Sequence, residues 1–285
     1  MSAATPVTGP TPPAVAVSGL SVDHVGRSGR HRVLHDVDLH LAQGRSLAVV
    51  GESGAGKSTL AAAFGRLQPR SAQRVAGSVR TAGHDVDALD PRALRRLRRD
   101  VLGVIAQDPV GALDPTMRIG RQLARCLRLH GRPADTGEQV RLLEQVRIDA
   151  PERVVRLFPH EVSGGMAQRV VIALALVGTP RLLVADEPTA SLDAGVREEV
   201  VRLLFDRATA TGASVVWLSH DLRAVRRWCD EIAVMRAGRV VEHGPTREVF
   251  AAPRHPYTRA LLACDPALAA PGQRLRTVDD LLAGA

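Results

Sequence analysis

Apolar positions along the chain fall into short runs separated by amphipathic stretches, and the alternation of strand and helix periods predicts an α/β fold. Ala14-Val-Ala-Val17 and Val37–Leu41 predict strands of an N-terminal sheet, with a further short strand at Val75–Val79. The runs Ser46-Leu-Ala-Val-Val50, Val101–Ile105, Leu182-Leu-Val-Ala185 and Ser214–Leu218 lack polar alternation, as strands covered on both faces of a parallel sheet do. Helices are predicted over Thr59–Phe64, after Asp90-Pro91 (a cap followed by proline in the first turn) and over Ala194–Ala210. From Met117 to about Phe158 the period is helical, broken at Gly131-Arg-Pro133 and Pro151. With the helix Arg169–Val177, ended by Gly178 and Pro180, this predicts an all-helical insertion over about residues 108–178. Ile232–Met235 and Val240–Glu242 form a hairpin around Ala237-Gly238, and Pro245 and Pro256 each start a short helix. The expected division is a disordered leader over 1–13, one domain over 14–250 and a short C-terminal extension over 251–285.

Composition narrows this only slightly. In 285 residues, 45% hydrophobic content supports a core, and 2% aromatics means that Leu, Val and Ala must build it. A net charge of +8 raises nucleic acid or anionic lipid as partners. The densest basic run, Arg92–Arg99, has Leu94 and Leu97 on one helical face, however, and reads as a solvated helix with a narrow apolar stripe. Cys126, Cys229 and Cys264 are odd in number and widely spaced, which argues for free thiols and against a disulfide framework or zinc site. The longest purely apolar run, Val170–Val177, is too short to span a bilayer, and Met1–Pro13 lacks the basic and apolar blocks of a signal peptide. A soluble, cytoplasmic protein is expected.

The sharpest chemical signal is lysine usage. Lys57 is the only lysine in the chain, and it stands in the loop Gly51, Glu52, Ser53, Gly54, Ala55, Gly56, Lys57, Ser58, Thr59. A phosphate-cradling loop needs a compact point charge that reaches β- and γ-phosphates, which the longer planar guanidinium does not supply. The glycines let backbone N–H groups turn towards phosphate, Ser58 can offer its hydroxyl to Mg²⁺, and the helix start adds its own attraction for anions. Strand, loop and helix in this order predict a nucleoside triphosphate site.

Further motifs follow in order. Leu182–Asp186 is an apolar strand ending in a carboxylate suited to hold Mg²⁺ through water, and the next residue, Glu187, can polarise a water that attacks the γ-phosphate. Val162-Ser-Gly-Gly-Met-Ala-Gln-Arg169 puts Ser163, Gly164 and Gly165 at a helix mouth as a second phosphate-binding terminus. Gln107 and His220 follow the strands ending at Ile105 and Leu218, and Asp193 closely follows the carboxylate strand.

From about Val15 to Pro266 this constellation resembles the nucleotide-binding subunit of ABC transporters. The resemblance implies a P-loop NTPase (RecA-like) core with an N-terminal antiparallel β subdomain and an inserted α-helical subdomain. It implies ATP and Mg²⁺ as cofactors, with Ser58, Gln107 and Asp186 at the metal and Gln107 as the Q-loop glutamine. Asp193 becomes the D-loop aspartate and His220 the switch histidine at the γ-phosphate, so that Lys57, Gln107, Glu187 and His220 carry catalysis. The Ser163 segment of one subunit would close over ATP held by another. Gln107-Asp-Pro-Val-Gly-Ala-Leu-Asp-Pro-Thr-Met117, Phe158-Pro-His-Glu-Val-Ser-Gly-Gly-Met-Ala-Gln-Arg169 and Pro253-Arg-His-Pro-Tyr-Thr-Arg-Ala-Leu-Leu262 are similar to the peptide and nickel importer subfamily. Leu261 and Leu262 of the last segment are also expected to pack down. The partners so implied are a second, related ATPase subunit or a second copy, two membrane permeases at the cytoplasmic face of the cell membrane and, indirectly, a solute-binding protein. No nucleic acid is expected; the alternative is a soluble ABC ATPase acting on nucleic acid or ribosomes, supported mainly by the charge of +8. The sequence departs from the family in having Met166 in the signature's fifth place. It also has no aromatic residue between Leu20 and Gly51 to stack on adenine, for which His31 or Arg32 are the substitutes.

Overall fold

The structure, a computed structural model, describes residues 12–26, 29–190, 192–264 and 278–283. The chain runs through β1 (Val15–Gly26), β2 (Gly29–Leu41), β3 (Ser46–Val50), α1 (Lys57–Ala63), β4 (Ala72–Thr81), β5 (His84–Asp85), α2 (Pro91–Asp100) and β6 (Leu102–Ile105). A helical stretch follows: α3 (Ile119–Leu129), α4 (Thr136–Gln145), α5 (Pro151–Val154) and α6 (Gly164–Leu176). Then come β7 (Leu182–Asp186), α7 (Ala194–Thr211), β8 (Ser214–Leu218), α8 (Leu222–Trp228), β9 (Glu231–Arg236), β10 (Arg239–Pro245), α9 (Thr246–Ala251), α10 (Pro256–Ala263) and α11 (Val278–Ala283). Residues 1–11 of the expected leader and Ser191, which precedes Leu192 and Asp193, lie outside the described residues.

Two sheets organise these elements. One is antiparallel, in the order β2-β1-β4-β5. The other has six strands in the order β10-β9-β3-β8-β7-β6, parallel from β9 to β6, with β10 antiparallel at one edge. Every residue of β3 and β8 is buried, which accounts for their unbroken apolar runs. α3, α4 and α6 bring Leu123, Leu127, Leu143 and Ile172 into the larger apolar core. The α/β expectation, the N-terminal antiparallel sheet and the helical stretch are all found.

The boundaries differ where local pattern is overridden. β1 and β2 extend well beyond Ala14–Val17 and Val37–Leu41, through polar residues such as Asp23, Arg30 and Arg32. They do so because they pair with each other down to Gly26↔Gly29, and Arg32 Nε donates to Asp23 Oδ1 across the pair at 2.7 Å. Register shifts between Val17 and Leu20 break the two-residue alternation on which the sequence reading relied. α1 starts at Lys57, two residues before Thr59, because Gly56 sits at φ 98°, a left-handed turn that launches the helix. α6 starts at Gly164 instead of Arg169, since Ser163 is its cap and accepts from the Met166 N–H at 3.3 Å. At α2 the expectation holds: Asp90 Oδ1 accepts from the N–H groups of Arg92 and Ala93 at 2.7 and 2.9 Å, and only Leu94 and Leu97 of that helix are buried.

None of the three cysteines is in a disulfide. Burial pushes the Cys229 thiol well above the ordinary cysteine range, and the charge of Asp230 adds to this. Only the thiolate is nucleophilic, so Cys229 is expected to react with iodoacetamide roughly a hundredfold or more slowly in the native protein than in denaturant. Mass spectrometry of quenched time points reads this directly, and rapid native labelling at Cys229 would contradict its burial. Among the described residues no helix is long and apolar enough to cross a membrane.

Candidate active site

The buried strand β3 delivers the chain into the glycine loop at the edge of the parallel sheet. Gly51, at φ 149°, has no room for a side chain: a Cβ there would lie 2.2 Å from the Met235 carbonyl oxygen. Gly56 is equally confined, with a Cβ falling 2.7 Å from Leu34. The turn after β9 holds the loop from behind, as the Gly238 N–H donates to the Ala55 carbonyl and the Gly238 carbonyl accepts from His35 N–H, at 3.0 and 2.9 Å. Lys57 is 8% exposed, and its Nζ donates to the carbonyls of Gly51 (2.8 Å) and Glu52 (3.0 Å). Two of the ammonium's three protons are thereby engaged on the loop.

A cavity of about 610 Å³ opens over this loop. Gly51, Glu52, Ser53, Gly54, Gly56, Lys57, Ser58 and Thr59 line it, and so do Gln107, Asp186, Glu187 and His220 from the ends of three other strands. Ala55 does not: its side chain is buried in the core, and its N–H donates to the Glu52 carbonyl at 3.2 Å. Strand order explains the convergence. β8 lies between β3 and β7, so His220 after β8 falls between the loop and the carboxylates after β7. His220 Nδ1 is 3.3 Å from Glu187 Oε2. Glu187 itself has φ 42°, a left-handed conformation that costs a non-glycine residue about 1–3 kcal/mol, and its N–H is held by the Leu218 carbonyl at 3.0 Å.

Burial pushes the Asp186 carboxyl above the usual carboxylate range and the neighbouring Glu187 charge adds to it, while the Ser58 hydroxyl and the Lys57 ammonium act in the opposite sense. A carboxylate held in such a place gains from a cation. The oxygen donors of Ser58, Asp186 and Gln107 share one cavity and form a hard set that fits Mg²⁺.

Ser163, Gly164, Gly165 and Asp193 are not in this cavity. They line a second one of about 350 Å³, together with Arg147, Arg169 and Met166. Met166 packs partly against the large core, so the residue that departs from the family pattern sits on the wall of this hollow. The predicted site residues thus form two groups, each at a helix N-terminus.

The substitutes for an adenine platform are not found. Neither His31 nor Arg32 lines the nucleotide cavity; Val33 does. Arg32 is tied to Asp23, and the His31 ring lies 5.3 Å from that of His24. Both are carried away from the loop by pairing with β1. Leu222 and Leu261 also line the cavity, and the Tyr257 hydroxyl accepts from the Glu52 N–H at 3.2 Å. Helical spacing hinted at the packing of Leu261, but no local signal pointed to its proximity to the glycine loop.

A glycine loop gripping a lysine, with a carboxylate pair and a histidine across a parallel sheet, defines a P-loop nucleoside triphosphatase. The ABC transporter family profile matches residues 34–190, and that of the oligopeptide/dipeptide transporter C-terminal region matches 241–283. Over 261 residues the chain is 40% identical to the oligopeptide transport ATP-binding protein OppD of Bacillus subtilis, covering 90% of this chain and 73% of that one. A probable peptide ABC transporter ATP-binding protein of Sinorhizobium fredii, y4tR, is 40% identical over 254 residues, covering 88% and 76%. The solved dimeric structure of the ATP-binding cassette MJ0796, in a post-hydrolysis state bound to ADP and Pi, matches with a TM-score of 0.72 at 27% identity, covering 82% of this chain and 99% of that one. The chain belongs to the ABC transporter family and is an ATPase of the cassette fold. The names of these relatives lend nothing to the nucleic-acid alternative.

Proposed function

We propose that this chain is the ATP-hydrolysing subunit of a peptide importer and works as one half of a head-to-tail pair of cassettes. The observation that carries the pairing is the division of the site. The cavity with Lys57, Asp186, Glu187 and His220 lacks a second anion-binding terminus, and the cavity with Ser163 and Asp193 lacks the lysine loop. Two copies, or this chain and a related ATPase, complete each other when the loop of one faces the Ser163 helix of the other. In this reading residues 14–250 are the nucleotide-binding domain, 108–178 its helical subdomain and 251–285 the extension.

The loop amides and Lys57 hold the β- and γ-phosphates, Ser163, Gly164 and Gly165 of the opposite subunit cap them, and Asp193 lines that junction. Ser58, Gln107 and Asp186 would hold Mg²⁺, which when bound would neutralise charge on the phosphates. Glu187 accepts a proton from the attacking water, and His220, 3.3 Å away, fixes the Glu187 carboxylate and reaches the γ-phosphate. ATP bound across the junction stabilises the closed pair, and hydrolysis releases it. Two permease subunits receive that motion at the cytoplasmic face of the membrane, and a solute-binding protein delivers cargo from the other side. Peptide is favoured over nickel or a metal chelate because the relatives above are named for peptides.

The test is reconstitution of this chain with two candidate permease subunits and a second ATPase, in vesicles loaded with ATP and with a solute-binding protein supplied outside. Uptake of labelled short peptides that depends on ATP is the expected outcome. Uptake of ⁶³Ni²⁺ but not peptide would replace the cargo, and ATP turnover without association with any permease would overturn the importer reading.

A further inference from the structure

We propose that Tyr257 is a positioning residue of the nucleotide loop, acting from the C-terminal segment on the peptide that orients Lys57. This rests on the phosphate-loop reading of the site. The group concerned is the single peptide unit between Gly51 and Glu52. Its carbonyl accepts from Lys57 Nζ at 2.8 Å, and its N–H donates to the Tyr257 hydroxyl at 3.2 Å, across 205 residues of sequence. The Met235 carbonyl packs closely against Gly51, 2.2 Å from where a Cβ would lie, and limits displacement of the loop on that side. The peptide's remaining freedom is rotation, and rotation would turn an N–H towards the ammonium in place of a carbonyl. A hydroxyl on the N–H side opposes that rotation. The ammonium is then presented with its third proton free for phosphate, and less ordering remains for ATP to impose.

The tyrosine is firmly held. It is fully buried, and the Arg236 guanidinium lies 5.0 Å from its ring centroid. Its own N–H donates to His255 Nδ1 at 3.1 Å, where His255 caps α10 ahead of Pro256. The Glu242 carboxylate on β10 accepts from the N–H groups of Arg254 and His255 at 2.8 and 3.0 Å, tying the start of the segment to the sheet. One turn beyond the tyrosine, Leu261 lines the nucleotide cavity. The His-Pro-Tyr segment is therefore a brace on the ATP site, and an event that shifts α10 is transmitted to Lys57 through one peptide.

Tyr257→Phe in the full-length chain removes the hydroxyl and keeps the ring. Loss of one neutral hydrogen bond predicts about fivefold weaker ATP binding by calorimetry, with faster deuterium exchange at the Glu52 amide. Leu143→Ala is the packing control: it opens the same apolar core from α4, away from α10 and the loop, and should leave both readouts near wild type. Unchanged ATP affinity in Tyr257→Phe, or an equal loss in Leu143→Ala, would overturn the proposal. Lys57→Ala separates the two readings. If it binds ATP as tightly as wild type, the phosphate-loop reading itself fails; if it loses binding while Tyr257→Phe is silent, only the brace fails.

Discussion

Lys57→Arg is expected to abolish detectable ATP turnover and to weaken ATP binding by about ten- to a hundredfold, although the charge is conserved. The reason is the shape of the space. Lys57 is 8% exposed, with Nζ fixed between two loop carbonyls at 2.8 and 3.0 Å. A planar guanidinium does not occupy a point between them and still face phosphate. The interaction forfeited is charge-assisted and worth about 1.5–3 kcal/mol, or roughly one to two powers of ten in affinity. Calorimetry with ATP measures the binding loss, and phosphate release from the assembled complex measures turnover. Wild-type affinity in the arginine variant would mean that the lysine is retained for some reason other than phosphate.

Glu187→Gln is expected to lower turnover by about 10²–10⁴-fold while leaving ATP bound. Glutamine keeps the volume and the possibility of a bond to His220, 3.3 Å away, but removes the proton acceptor. The strained backbone at φ 42° remains, so the variant should fold as the parent does. With hydrolysis blocked, the closed pair persists, and light scattering after gel filtration should show ATP-dependent doubling of mass with the proper partner supplied. Undiminished turnover would remove Glu187 from the water-activating role. Blocked turnover with a strictly single subunit would instead remove the head-to-tail pair.

The two experiments probe features that differed in how plainly they could be read. The lysine loop was legible because its signals are local in sequence: closely spaced glycines, a helix that begins at Lys57, and one conspicuous lysine. The cap at Asp90-Pro91 was legible for the same reason, since its two acceptor contacts reach only to Arg92 and Ala93. The long reach of β1 and β2 was not, because Asp23, Arg30 and Arg32 look like loop residues until a partner strand supplies opposite charge and hydrogen bonds. The same pairing kept His31 and Arg32 off the wall of the cavity over the glycine loop, which Val33 lines.

The linear order of residues determined by itself that the chain carries a triphosphate loop, a strand-borne carboxylate pair and a Ser-Gly-Gly helix mouth, since each depends on a handful of consecutive side chains. Only the tertiary structure decided which of these face one another. It inserted β8 between β3 and β7 so that His220 meets Glu187, it sent Ser163 and Asp193 to a separate hollow, and it carried Tyr257 back onto Glu52. Those outcomes are set by strand pairing and burial between segments far apart in sequence, and no local propensity encodes which distant segment will be the neighbour.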